Sequence, residues 1–131
     1  MRIGIVCAGD NEVAPFLSML NEASVTEKSL LKFYEGKIEN MDVVTLFSGV
    51  CKVNAAIAVQ ILIDIYKCDI IINAGTAGGI DERLKILDTV VSTEVAYHDV
   101  NEDVLTDFHP WMSSVYCLYN GVKTLAFRRN L

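Results

Sequence analysis

Histidine is scarce in this chain and cysteine is scattered: two histidines, His98 and His109, and four cysteines, Cys7, Cys51, Cys68 and Cys117, none in CxxC spacing. A Cys/His metal cage has no framework here, and neither a metal nor another cofactor is expected. Positive charge is also short. Lys and Arg number 11 against 17 Asp and Glu, a net of −6. Without a basic stripe, a nucleic-acid partner is not expected. No apolar run reaches the roughly 18 residues that span a bilayer, so no membrane partner is expected. Met1-Arg2 leads into a strand-like segment rather than a signal peptide. GxGxxG and GxxxxGKS/T are both missing, so dinucleotide and P-loop readings fail. A reducing, cytoplasmic setting fits, with Cys7 and Cys68 acting as small hydrophobes in apolar surroundings.

What the chain does have is grease. Of its 131 residues, 52% are apolar, high for a soluble domain of this size. The length suits one domain with a sizeable core. The surplus needs an outlet: a subunit interface, or a core whose other half is absent.

Residues 2–7, RIGIVC, are too uniformly apolar to alternate and predict a strand buried on both faces. Ala8-Gly9-Asp10-Asn11 breaks it with N-cap chemistry. A helix is then expected from residue 12 to about 23, on the spacing of Val13, Phe16, Leu17 and Leu20, with Pro15 near its first turn. Strands at 32–39 and 41–47 meet in a tight turn at Asn40. Residues 51–66 are helical in length and apolar nearly all round. Such a helix is buried on two sides, by the sheet and, we expect, by a second subunit. Residues 69–73 read as another buried strand, and 88–97, DTVVSTEVAY, as a long one. A polar, acidic loop covers 99–110, and 115–131 shows neither a capped helix nor a clear strand. The order predicts an α/β three-layer fold with a mixed central sheet. It has no repeat, linker or low-complexity segment.

Ligands in open α/β sheets bind beyond the carboxyl ends of the strands. Three such ends carry unusual residues: Ala8-Gly9-Asp10-Asn11-Glu12, Ser48-Gly49-Val50 and Gly75-Thr76-Ala77-Gly78-Gly79. If those strands are neighbours, a carboxylate, two hydroxyls and several backbone N–H groups converge. That is equipment for holding a sugar hydroxyl and activating a water. Each piece also has an ordinary use. A glycine-rich turn can be only a turn, Glu12 a partner for the helix dipole, Ser48 a cap, and Lys52 a solvated helix residue. Adjacency decides, and periodicity does not supply it.

The segments RIGIVCAGDNEVAPF, FSGVCKVNAA, IINAGTAGGI and DTVVSTEVAYHD, in this order from residue 1 to about 100, resemble the nucleoside phosphorylase/nucleosidase superfamily. Within it the chain is most similar to the 5′-methylthioadenosine/S-adenosylhomocysteine nucleosidases. The resemblance implies hydrolysis of the N-glycosidic bond of an adenine nucleoside through an oxocarbenium-like sugar, without a cofactor. It places the water-activating glutamate at Glu12, the hydroxyl after the third strand at Thr76, and ribose and base-edge contacts at Val50, Ala77 and Gly78, with Ser48 and Gly9 also lining the substrate. Related phosphorylases carry a phosphate-binding arginine in the first glycine loop. Here Ala8-Gly9-Asp10-Asn11-Glu12-Val13 offers two acids instead, which repel an anion and favour water as nucleophile. Nucleosidases often carry methionine where this chain has Gly9.

The resemblance also implies a longer protein. Its later part supplies a glutamate that grips the ribose hydroxyls and an aspartate that helps protonate the purine. Residues 1–131 are thus expected to be one incomplete domain, truncated at the C-terminus and impaired as a catalyst by itself. The alternatives are a non-catalytic, nucleoside-binding or dimerising remnant and a purine nucleoside phosphorylase relative. A homodimer is expected through helix 51–66 and loop 100–112, with Leu105 and Phe108 reaching the neighbour's pocket.

Overall fold

The computed structural model describes residues 1–92 and the backbone of 123–128. A six-stranded mixed sheet forms the middle layer, in the order β2 (Asn21–Lys28), β3 (Leu31–Ile38), β4 (Met41–Phe47), β1 (Arg2–Cys7), β5 (Ile70–Gly75) and β6 (Lys123–Arg128). Strand β1 (Arg2–Cys7) lies in its interior, parallel to β4 (Met41–Phe47) on one side and to β5 (Ile70–Gly75) on the other. The unbroken apolar run of β1 is explained by that position. Ile3, Ile5 and Cys7 face one layer and Val6 the other, and all four are buried.

Helix α1 (Asp10–Met19) covers the first face, where Val13, Phe16, Leu17 and Leu20 pack on Ile3, Ile5, Cys7, Val43 and Ala74. Helix α2 (Lys52–Asp64) covers the second, where Ala58 and Leu62 join Val6, Phe33, Val44, Leu46 and Ile71. These are the three expected layers. The far side of α2 leaves Val53 and Ile57 exposed, and Ile65 at its C-cap is exposed too. Among the described residues, no helix is long and apolar enough to cross a membrane.

Four expectations need correction. The first helix starts at Asp10 and stops at Met19, and Leu20 turns to extended backbone (φ −79, ψ 116). Residues 21–23, expected to be helical, open strand β2 (Asn21–Lys28), which pairs antiparallel with β3 (Leu31–Ile38). The apolar spacing runs out at Leu20. Because β2 is an exposed edge strand, it carries little hydrophobic signal of its own. Pro15 sits inside α1 rather than in its first turn, and without an N–H it cannot close that turn onto Asn11.

The chain contains more strands than expected. Residues 115–131 were expected to lack a clear strand, yet β6 (Lys123–Arg128) pairs parallel with β5. The free edge of β5 is the template, and it is remote in sequence. Conversely, 88–92 carry no strand, only an isolated bridge at Val91. Residues 93–97 of that expected strand lie outside the described residues.

Candidate active site

Because β4, β1 and β5 are adjacent and parallel, Phe47, Cys7 and Gly75 end on the same rim of the sheet. The turns at 8–9, 48–51 and 76–79 leave from there, and α1 starts there too. Glu12 is the third residue of that helix, and its side chain folds back over the rim. Oε2 accepts hydrogen bonds from the N–H groups of Ala8 (3.0 Å) and Gly9 (3.2 Å), the return half of a capping box. Oε1 accepts from the Thr76 N–H (2.7 Å) and the Thr76 hydroxyl (2.9 Å). One carboxylate therefore ties the turn after β1 to the turn after β5, Glu12 and Thr76 being 64 residues apart in sequence.

The electrostatics follow from this arrangement. Partial burial would raise the Glu12 pKa, but the bonds donated by Thr76, Ala8 and Gly9 outweigh it and hold the carboxyl below its ordinary value. Glu12 is an anion at neutral pH. Beneath it, the Cys7 thiol is pushed up to about 12, by burial first and then by the charge of Glu12. A neutral thiol is a poor nucleophile, so Cys7 serves as packing. Among the described residues, no three His, Cys, Asp or Glu side chains gather to hold a metal ion.

The other sequence-derived candidates separate. Ser48 is buried. Its N–H donates to the Cys7 carbonyl at 2.8 Å, and its hydroxyl is placed to donate to the carbonyls of Cys7 (3.3 Å) or Gly49 (2.8 Å). It extends the β4–β1 ladder by one step. Cys51, and not Ser48, occupies the N-cap of α2. Val50 is 72% exposed, and its carbonyl accepts a bond from the Asn54 side chain at 2.7 Å. Gly9 is extended (φ −135, ψ 166), and a Cβ there would meet nothing within 4 Å, so the rim has an opening beside Glu12. Ala77 and Gly78 are exposed on the turn after Thr76. Leu105, Phe108, loop 100–112, His98 and His109 lie outside the described residues.

Two contributors escaped the sequence reading. The Ala8 N–H donates to the Glu12 carboxylate and the Asn54 amide to the Val50 carbonyl, partners that only the fold reveals. The run of small residues at 72–79 was the available signal for close approach, but it did not say to what.

The chain matches the Phosphorylase superfamily over residues 2–125. Over 101 residues it is 48% identical to a 5′-methylthioadenosine/S-adenosylhomocysteine nucleosidase of Exiguobacterium sp., covering 77% of this chain and 43% of that protein. The corresponding nucleosidase of Colwellia psychrerythraea is 46% identical, with 77% and 42% covered. The matched stretch is thus less than half the length of either relative. Among solved structures, the Colwellia psychrerythraea nucleosidase in complex with adenine superposes with a TM-score of 0.77 at 35% identity, covering 96% of this chain and 60% of that one. The Streptococcus pneumoniae nucleosidase with a transition-state inhibitor gives a TM-score of 0.77 at 27% identity, with 95% and 62% covered.

Proposed function

Since the chain belongs to the Phosphorylase superfamily, we propose that it carries the water-orienting part of a site that hydrolyses the N-glycosidic bond of adenine thionucleosides, of the 5′-methylthioadenosine or S-adenosylhomocysteine type. The observation that carries this reading is the seat of Glu12. Four donors converge at the rim, and the chain's own carboxylate fills all four. An incoming phosphate would meet a fixed negative charge where it needs N–H groups, whereas water meets an acceptor. The nucleophile is therefore water.

Strongly hydrogen-bonded and with a lowered pKa, Glu12 is a weak base. Cleavage through an oxocarbenium-like sugar tolerates that, because the electrophile is already cationic and the water needs orientation before it needs deprotonation. The C1′–N9 electron pair leaves with the base, the water oxygen bonds to C1′, and Glu12 takes the surplus proton. Thr76, Ala77, Gly78, Val50 and Gly9 surround the substrate in this reading, while the buried Ser48 holds the backbone of the turn after β4.

The departing purine also needs a proton. Among the described residues, Glu12 is the one carboxylate anchored across the rim, while Asp10 turns to its neighbour's N–H (Asn11, 2.9 Å). We accordingly place the acid for the base, and the grip on the ribose hydroxyls, outside these residues, and expect slow turnover by the 131-residue chain alone. The same proposal includes a homodimer through 51–66, where Val53, Ile57 and Ile65 remain exposed, with loop 100–112 bringing Leu105 and Phe108 to the neighbour's pocket. A cytoplasmic location accords with free thiols at Cys7, Cys51 and Cys68.

Adenine release from methylthioadenosine, with Glu12→Gln as the control, tests the reaction. Slow release abolished by Glu12→Gln supports it. Rates equal to those of an intact relative overturn the expected dependence on residues outside the described part. Thermal shift separates the alternatives: stabilisation by adenine or methylthioadenosine supports the nucleosidase reading, stabilisation requiring phosphate supports a phosphorylase, and none supports a non-catalytic remnant.

A further inference from the structure

A side chain at position 75 would collide with Glu12. A Cβ built on Gly75 would lie 2.9 Å from Glu12 Oε1, 3.1 Å from Cδ and 3.2 Å from Oε2, inside the roughly 3.5–4.0 Å at which non-bonded carbon contacts are favourable. Backbone conformation does not demand this glycine: the positive-φ glycine of the described residues is Gly49, at +81°. Nor does strand pairing favour it, since glycine weakens a strand interior or marks a close approach. What remains is space, and the space is filled by the carboxylate.

We propose that Gly75 is a positioning residue: its missing side chain is the berth in which the Glu12 carboxylate lies across the end of β5, within reach of both the Thr76 N–H and the Thr76 hydroxyl. The catalytic meaning of that berth rests on Glu12 being the water-orienting group; its geometry does not. The colliding atoms are the end of a flexible side chain, so Gly75→Ala displaces the carboxylate and leaves the strand standing. Displacement costs the contacts at 2.7 and 2.9 Å and unties the turn after β1 from the turn after β5.

A double-mutant cycle on the full chain tests this, using the native protein, Gly75→Ala, Glu12→Ala and the double variant in urea denaturation. The two positions should couple by roughly tenfold in the folding equilibrium: Gly75→Ala weakens folding while Glu12 is present and has no cost once it is gone. Carbon-13 NMR titration of the Glu12 carboxyl is the second readout. In Gly75→Ala its midpoint should move up toward the ordinary value for a glutamate. Of the other titratable groups on β1 and α1, Cys7 is neutral throughout that range, Arg2 lies at the opposite end of β1, and Asp10 is followed in the same spectra.

An equal cost of Gly75→Ala in both backgrounds, or an unmoved Glu12 midpoint in folded Gly75→Ala, overturns the proposal. If Gly75→Ala alone does not fold, the double variant decides: folding supports the berth, and failure to fold shows that Gly75 is needed for something else. These readouts are independent of turnover. Lost adenine release in the native chain removes the hydrolytic reading and not the berth.

Discussion

Replacing Thr76 with valine removes one hydrogen bond and almost nothing else. The substitution keeps the β-branched shape and the Thr76 N–H bond to Oε1, and deletes the hydroxyl donor at 2.9 Å. A hydrogen bond to a charged group contributes about 1.5–3 kcal/mol. Thr76 is exposed, and solvent screening brings the expected loss down to about 1–2 kcal/mol at neutral pH. The pH dependence is the sharper signature. The folded pKa of Glu12 lies below its ordinary 4.5, burial being outweighed by the donated bonds. A depressed folded pKa gives stability that is present above the unfolded value and is lost as pH falls through the folded one. Thr76→Val lessens the depression, so the gap between it and the native chain is full at neutral pH and narrows once Glu12 is protonated in both. Urea denaturation at neutral pH, and again well below the carboxylate range, measures this, with Thr76→Ser as the variant that restores the hydroxyl. A gap equal at both pH values, or none at neutral pH, refutes the claim that the hydroxyl acts on the ionised carboxylate.

The remaining predictions address packing, thiols and association. Leu62 is fully buried between α2 and the sheet, so Leu62→Ala should cost about 2–5 kcal/mol in the same assay. In a Cys117→Ser background, Cys51 is exposed while Cys7 and Cys68 are buried with pKa values pushed up to about 12 and 11. One thiol should therefore react quickly with a disulfide reagent at neutral pH, and the other two only on unfolding. Placing Asp at Ile57, on the uncovered side of α2, should shift the protein toward monomer in sedimentation velocity without changing the β-sheet signal in circular dichroism. An unchanged sedimentation coefficient overturns the proposed pairing through α2.

Much of this architecture is written locally. The apolar runs of β1 and β5 announce strands covered on both faces, and α2 shows its length and its two-sided apolarity. Edge strands are another matter. β2 is polar and exposed, and β6 depends on a partner edge some fifty residues earlier in sequence, so neither leaves a local trace. The stretch at 88–92 shows the converse, with ample β-propensity and no strand.

The site divides in the same way. A carboxylate after the first strand, a hydroxyl and glycines after the last of the apolar ones, and a serine-glycine pair between them were all visible as residues. That Glu12 reaches Thr76 and not Ser48, that Ser48 spends its hydroxyl on backbone, and that Gly75 is empty for the sake of a side chain 63 positions away came only from the fold. Periodicity records which face a residue presents within its own element. Which strand lies beside which is set by pairing between distant segments, and a hydrogen bond exists only once that pairing has brought its donor and acceptor within about 3 Å.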